Sequence, residues 1–410
     1  MGNTALNIAI VGYGTAGQAA AILLSRDRHR VQVFEQASEL GPIGVGFLLQ
    51  PVGLHVLWEM GLLDAALAHG ARIDRLFGEN AAGRAVMDMR YAGLDARLFG
   101  LGMQRGALFA LLAQAWPDVD SVQRGQRIVA IDETGRRIRD ANGREFGPYD
   151  LVLAADGSAS CLRGSVRATK LDRPYPWGAL WCLLPQADWE FPHDLRQRYV
   201  AARKMIGMLP VGTRPDDATP RLSFFWSLRT NEFDAWQQAG LAQWLGEIAT
   251  LWPQADARMS TINDPGQMRR AGYRDAVLRS WCRGRLVLLG DAAHAMSPQL
   301  GQGVNMALMD ALALRDALRA ESTADAAIAR YERERRAHVR IYQFWSRWLT
   351  PLFQSDRDAI ARLRDAALLP LGRMPGGRGQ MLRVLSGLQR GWFGKLRLPP
   401  AFLERLDGAR

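Results

Sequence analysis

Residues 7–36, NIAIVGYGTAGQAAAILLSRDRHRVQVFEQ, leave the chain little choice about its first folding unit. Ile8–Val11 is a short unbroken apolar run, the pattern of a strand buried on both faces. Gly12, Gly14 and Gly17 follow at GxGxxG spacing, then Ala16–Leu24 at helical spacing and Val31–Phe34 as a second apolar run. Each glycine has its own task in such a unit. Gly12 permits a tight turn, Gly14 lets backbone approach a pyrophosphate, and Gly17 lets the helix lie on the strand. Glu35 stands at the end of the second strand, where a carboxylate accepts hydrogen bonds from a ribose hydroxyl. The spacing predicts a βαβ unit that holds a dinucleotide. NAD and FAD satisfy it equally.

Residues 285–314, RLVLLGDAAHAMSPQLGQGVNMALMDALAL, predict a second device. The buried strand Leu286–Leu289 stops at Gly290-Asp291 and so delivers a carboxylate to its C-terminal edge. A turn containing Pro298, Gly301 and Gly303 then opens a helix from Val304. The first N–H groups of a helix lack partners within it and carry partial positive charge, which suits an anionic or electron-rich ligand. The apolar run YDLVLAA repeats the device, ending in Asp156-Gly157 with Ser160 and Arg163 beyond. The glycine-rich stretch 41–53 predicts backbone set close to a flat ligand. Arg105 begins a further apolar helical stretch, where a cation opposes the helix dipole unless an anion compensates.

Residues 165–280 have a different texture. WGALWCLLP, YVAARKMIGMLPV and PRLSFFWSLR predict three strands rich in aromatic and β-branched residues. In the last, Leu222, Phe224, Trp226 and Leu228 alternate with Ser223, Phe225, Ser227 and Arg229. The expectation is a sheet whose first set roofs a pocket. Ala324–Arg364 has helical periodicity with many arginines and is expected to pack on the parent domain.

The net charge of +11 invites a polyanionic partner, but only three of the 52 basic residues are lysine and the arginines are scattered. Without an aromatic-basic motif, no nucleic-acid module is expected. Cys161, Cys182 and Cys282 stand far apart with no CxxC pair, so neither a disulfide framework nor a metal site is expected, and a cytoplasmic setting fits. No uncharged apolar run reaches the length of a membrane span.

Three fingerprints in order make the chain resemble the single-component FAD monooxygenases, the aromatic hydroxylases typified by para-hydroxybenzoate hydroxylase. They are the GxGxxG unit with Glu35, then DGxxSxxR at Asp156, Gly157, Ser160 and Arg163, then GDAAHxxxPxxGxGxN from Gly290 to Asn305. The resemblance spans roughly residues 7–340. It implies an α/β chain: a Rossmann-like FAD-binding domain of that type, an inserted β-sheet substrate domain and C-terminal helices. The expected divisions are 1–70, 100–165 and 280–345 for FAD, 71–99 and 166–279 for substrate, and 346–410 as a helical segment.

The resemblance also implies roles for single residues. Non-covalent FAD would lay its pyrophosphate on Gly12, Gly14, Thr15, Ala16 and Gly17, and its adenosine beside Glu35 and Gln36. Arg105, Ile128, Asp156 and Asp291 would contact the rest of the nucleotide, with Asp156 and Arg163 linking flavin and NAD(P)H functions. Pro298, Gly301, Gly303, Val304 and Asn305 would line the isoalloxazine ring. The substrate would lie under the aromatic sheet, with Trp181, Met208, Phe224 and Trp226 as candidate contacts. His294 and Pro298 are the catalytic candidates; His294 could shuttle a proton, but an orienting or packing role is the favoured reading. Gln36 departs from the arginine that relatives often carry there. The implied reaction uses transient NAD(P)H and O2 to hydroxylate an electron-rich aromatic molecule through a flavin C4a-hydroperoxide. Two alternatives are a flavin-dependent halogenase and a non-catalytic flavin- or ligand-binding protein. The first is disfavoured because no lysine precedes Lys170 and no WxWxIP segment occurs.

Overall fold

The computed structural model describes residues 5–42, 44–374 and 376–409, so Ile43 of the glycine-rich stretch lies outside them. The first apolar run becomes strand Asn7–Val11 at the heart of a five-stranded sheet. It pairs in parallel with Arg30–Phe34 on one side and Leu151–Ala154 on the other. Leu286–Leu288 continues the parallel order, and Cys282–Arg283 closes the edge antiparallel. Ile8, Ala9, Ile10 and Leu151–Ala154 are all fully buried. Such strands are covered on both faces, which is why they read as continuous apolar runs. Helices Thr15–Arg26 and Gly303–Ala320 pack against each other over this sheet. Three strand ends therefore meet at one C-terminal edge, carrying Gly12, Asp156 and Asp291, the place where open α/β sheets bind ligands.

The second sheet has seven strands in the order Arg269–Leu278, Thr169–Pro185, Asp217–Arg229, Lys204–Arg214, Asp194–Val200, Arg75–Asn80 and Ala85–Arg90. Residues 75–90 thus share a sheet with residues 169–278, joined by the parallel pair Asp194–Val200 and Arg75–Asn80. A small sheet of Gly46–Leu49, Gly100–Gln104 and Ala71–Ile73 packs against strand Lys204–Arg214 of the seven-stranded sheet.

Both faces of the seven-stranded sheet are apolar, and their assignment corrects the expectation. Met208, Phe224 and Trp226 join Ile206 and Leu222 in a separate core beneath helices Phe233–Ala239, Leu241–Leu251 and Pro253–Met259. Phe225, Met205 and Leu209 point the other way, into the main core. Period-two alternation says which residues share a face. It does not say which of two apolar faces looks at a pocket, and the three helices claim the Phe224 side.

The C-terminal region also departs from expectation. Thr323 caps a helix, Ala324–Phe353, that runs unbroken through the expected boundary at 345/346. Helices Asp358–Arg373 and Gly377–Leu385 follow. The first lies against strand Ala85–Arg90. It is tied down by Asn80 Nδ2, which donates to Asp365 at 2.8 Å, and by buried Arg364 Nη1, which donates to the carbonyls of Ala201 and Leu352 at 2.9 Å. These helices pack on the main body, as expected of Ala324–Arg364, and form one of its walls; only the division at 345/346 falls inside a helix. Among the described residues no helix is long and apolar enough to cross a membrane, and no cluster of His, Cys, Asp or Glu has the makings of a metal site.

Candidate active site

A cavity of about 1870 Å³ lies between the C-terminal edge of the five-stranded sheet, the Phe225 face of the seven-stranded sheet and the C-terminal helices. Small-molecule pockets usually hold about 300–1000 Å³. This one has room for a dinucleotide and a second ligand together.

Its first wall is largely backbone. Gly12 has φ +101°, and a Cβ there would lie 2.5 Å from the carbonyl oxygen of Ala155. A Cβ at Gly17 would lie 2.0 Å from the carbonyl oxygen of Gly12. Those two glycines therefore serve chain-on-chain packing. Gly14 differs: it lines the cavity beside Thr15 and Ala16, and among the described residues nothing stands within 4 Å of its Cβ position. Helix Thr15–Arg26 starts here with no side-chain cap, so its first amides face the cleft unpaired by side chains.

Glu35 is anchored beside this turn, accepting from the amides of Tyr13 at 2.8 Å and Ala37 at 2.9 Å. Residues 123–126 run alongside it, through Glu35 N–H to Gln123 O and Gln126 N–H to Glu35 O, and bring Ile128 to the same end of the site. Gln36 is exposed and Ile128 is buried in its strand; neither, nor Glu35, lines the large cavity.

Arg105 begins helix Arg105–Ala115 and points into the cavity across Gly44 and the Phe47 ring, 5.6 Å away. Among the described residues its guanidinium has no hydrogen bond or ion pair. Burial pushes its pKa down, while the charge of Asp291 and the nearby Tyr273 oppose that shift. A desolvated cation without a counter-ion is costly. A bound diphosphate would supply the missing charge to Arg105 and to the helix start at Gly14 alike.

The two strand-end aspartates behave differently. Asp156 folds back on its own loop, Oδ2 accepting from the amides of Cys161 at 3.1 Å and Leu162 at 3.4 Å, while buried Oδ1 has no partner among the described residues. It does not line the cavity. Asp291 does, and it is exposed there. Buried Arg163 locks the two loops together. Its Nε donates to Ala292 O, its Nη2 to Ser158 O and Asp291 O, all at 2.8 Å, and its Nη1 to Asp172 at 3.0 Å. With these donors engaged, Arg163 is a clamp between the sheets rather than a free binding group.

Beyond Asp291 the chain makes a single turn at Pro298–Leu300, takes a left-handed step at Gly301 (φ +60°) and enters helix Gly303–Ala320, again without a side-chain cap. Pro298, Gly301, Gly303 and Val304 all line the cavity. Asn305 stands behind them, fully buried. Its Nδ2 donates to Gly301 O at 3.0 Å and Leu48 O at 3.2 Å, and its Oδ1 accepts from the Gln50 amide at 2.8 Å. Asn305 therefore holds the turn in shape and does not face the cleft. Ser297 braces the turn from the far side through Ser346 and Thr350, each hydroxyl pair at 2.7 Å.

His294 is corrected from its place among the catalytic candidates. It is 1% exposed, outside the cavity lining, with Nε2 2.7 Å from Asp310 Oδ2 and its ring 4.9 Å from Trp281. Burial would raise the Asp310 pKa, but the charges of His294 and Arg335 outweigh it and hold the carboxyl at about 2. The imidazole is spent on a buried hydrogen bond to Asp310. A neighbour of Asp291 in the chain is not a neighbour in the cleft.

The opposite wall is made of side chains. Trp181 and Phe225 pack with ring centroids 5.0 Å apart, and Trp181 Nε1 donates to the Tyr273 hydroxyl at 3.2 Å. Burial pushes the Tyr273 phenol up to about 12, so it stays protonated and keeps its own O–H for a further acceptor. Tyr273 and Phe225 were missing from the sequence reading; the alternation that selected Phe224 would have found Phe225 on the other phase. Helices 324–353, 358–373 and 377–385 complete this wall. Each shows the same signal: Trp345, Trp348, Leu349 and Leu352; Leu363, Ala367, Leu368 and Leu371; Met381, Val384 and Leu385, all at three- and four-residue steps.

The chain resembles known proteins over most of its length. A family model described as FAD binding domain matches residues 5–343. The FAD-dependent urate hydroxylase of Klebsiella oxytoca is 27% identical over 343 residues, 81% of this chain and 86% of that protein. A probable 2-heptyl-3-hydroxy-4(1H)-quinolone synthase of Rhodococcus erythropolis is 28% identical over 333 residues, 80% of this chain and 84% of that one. The fold is shared with Klebsiella pneumoniae HpxO complexed with FAD and uric acid, at TM-score 0.75 and 22% identity over 95% of this chain and 98% of that chain. Hydroxylation is thereby favoured over the halogenase and non-catalytic alternatives. Since the family match takes in both the Gly12–Gly17 turn and the segment from Gly290 to Asn305, the chain belongs to the FAD-dependent aromatic hydroxylases and is an FAD-dependent monooxygenase.

Proposed function

We propose that the aromatic substrate lies between the Trp181–Phe225–Tyr273 surface and the turn Pro298–Gly303. One observation carries this: a single cavity joins an uncapped glycine turn and a desolvated Arg105 to that aromatic surface. FAD, when bound, takes electrons from NAD(P)H and activates O2. The chain's residues do the rest. Gly14, Thr15, Ala16 and Arg105 hold the pyrophosphate, Glu35 the adenosine ribose and Asp291 the ribityl chain. The amides from Gly301 to Val304 face the ring, where helix-start charge favours an electron-rich group. Trp181 and Phe225 stack the substrate and exclude water, and Tyr273 donates its O–H to a substrate oxygen.

In this reading residues 1–70, 100–165 and 280–345 serve the cofactor, and 71–99 and 166–279 one side of the substrate. The three cysteines are free, which suits a reducing, cytoplasmic setting.

The test is NAD(P)H consumption by the purified yellow protein across phenols, quinolones and polycyclic aromatics. At least one class is expected to stimulate consumption and to yield a product with one atom of oxygen-18 from labelled O2. Consumption indifferent to every aromatic, or a product without label, would sink the proposal.

A further inference from the structure

The cavity does not end at the aromatic surface. It continues past the ring turn along the C-terminal helices, starting where Ser297 and Gln299 meet Ser346, Thr350 and Gln354. Along that extension the lining is apolar and open to water: Trp348 is 55% exposed, Leu363 66%, Leu371 49% and Met374 57%. A soluble protein rarely leaves a contiguous apolar stripe of this kind uncovered unless something binds there.

Charge argues the same way. Arg364 is spent on Ala201 O, Leu352 O and Asp365, so the cation beside Leu363 is not free to pair with a carboxylate. From Leu363 to Leu371 the helix advances about 12 Å, which gives the gallery length as well as apolarity.

The geometry points to a tail subsite: the substrate is an aromatic head carrying an alkyl or similarly apolar chain, with the head under Trp181 and Phe225 and the chain along Trp348, Leu363 and Leu371. This rests on the hydroxylase reading for the position of the head, but the tail subsite is built by different residues and is read out by binding alone. Specificity for chain length then sits in the helices 346–385, apart from the residues that surround the cofactor.

The probe is the series of 4-n-alkylphenols from ethyl to nonyl, titrated calorimetrically into the FAD-loaded protein. Affinity is expected to rise about three- to four-fold per methylene until the gallery is filled. In the double variant Leu363→Asp, Leu371→Asp the slope is expected to flatten for the longer members while ethylphenol binds as before. Both positions are water-exposed, so the variant keeps its fold, which its melting temperature checks. A wild-type affinity independent of chain length overturns the tail subsite, as does an unchanged slope in the variant. Substrate-stimulated NAD(P)H consumption with a flat slope would refute the tail subsite and keep the hydroxylase. A steep, variant-sensitive slope with no stimulation by any member would do the reverse.

Discussion

The two walls of the cavity solve recognition by different means. The cofactor wall is backbone: two glycine turns, two uncapped helix starts and two charged side chains, Arg105 and Asp291. The facing wall is side chains: Trp181, Phe225 and the apolar stripes of three helices. Backbone amides can grip only what fits their fixed positions, so the first wall suits one invariant ligand. Side chains can be exchanged without moving the chain that carries them, so the second wall suits a substrate that differs from one relative to the next. Changes on the first wall should then alter FAD binding for every substrate, and changes on the second should alter substrate while FAD stays bound.

The largest expected effect separates two glycines within one turn. Gly12→Val forces a side chain against the Ala155 carbonyl from a φ of +101°. Strain and overpacking together cost roughly 2–6 kcal/mol, a large share of a domain's marginal stability. Gly14→Val meets no protein atom within 4 Å among the described residues. It should melt like the parent yet bind FAD at least tenfold more weakly, because its side chain would stand where the pyrophosphate is proposed to lie. Circular dichroism and FAD fluorescence titration on both variants check this. A Gly14→Val protein with full FAD affinity would break the division of labour.

The next pair tests the two faces of the seven-stranded sheet. Phe224 is fully buried against Trp244, with ring centroids 6.0 Å apart, so Phe224→Ala should cost about 3–5 kcal/mol of stability and leave KM for substrate nearly unchanged in whatever protein folds. Phe225→Ala borders the cavity and should cost less stability while raising KM severalfold with FAD retained. Denaturant melts and steady-state kinetics measure the two; exchange of the two phenotypes would put the substrate on the wrong side of the sheet.

This pair also shows how far residues alone carry a reading. The nucleotide end was legible because GxGxxG states a local backbone requirement, met wherever the flanking strands and helix are present. Phe224 and Phe225 were not separable, since alternation is a local property and the helices covering one face come later in the chain. For His294 the packing reading is the one the structure fits, but its partner was not legible: adjacency to Asp291 in sequence says nothing about Asp310, which arrives from helix Gly303–Ala320 to claim the ring. Helical periodicity was legible only over Ala324–Arg364; the stripe of Gly377–Leu385 was not, and only the packing of helix Asp358–Arg373 on strand Ala85–Arg90 turns these residues into a cavity wall.

A smaller effect is expected at Asp291, whose carboxylate has no hydrogen-bond partner among the described residues, unlike the loop-bound Asp156. Asp291→Ala should leave the melting temperature nearly unchanged and cost about 1–3 kcal/mol of FAD binding, a loss of roughly five- to 150-fold. FAD occupancy after dialysis and a titration give the number. Wild-type occupancy would mean that Asp291 shapes its turn and nothing more.

The smallest and most specific effect concerns Gly303. Among the described residues a Cβ there would meet Asp291 Oδ1 at 3.8 Å, an ordinary van der Waals contact, so the backbone itself accepts a side chain at Gly303, and the melting temperature of Gly303→Val checks the rest. Any consequence must then come from the ligand the new side chain displaces. The helix it opens has no side-chain cap, and its first amides carry the positive end of the dipole. That end favours the reduced flavin, which bears negative charge that the oxidised form lacks. Moving the ring outward should forfeit a fraction of that preference. A helix terminus is worth about 0.3–1 kcal/mol and up to about 2 when partly buried, so the two-electron potential should fall by at most roughly 40 mV. FAD should still bind, since Gly14 and Arg105 are untouched, and reduction by saturating NAD(P)H should slow. A spectroscopic redox titration of the FAD-loaded variant beside the parent measures the difference. An unchanged potential with normal turnover would show that the turn Gly301–Gly303 only starts a helix and that the ring lies along another part of the wall.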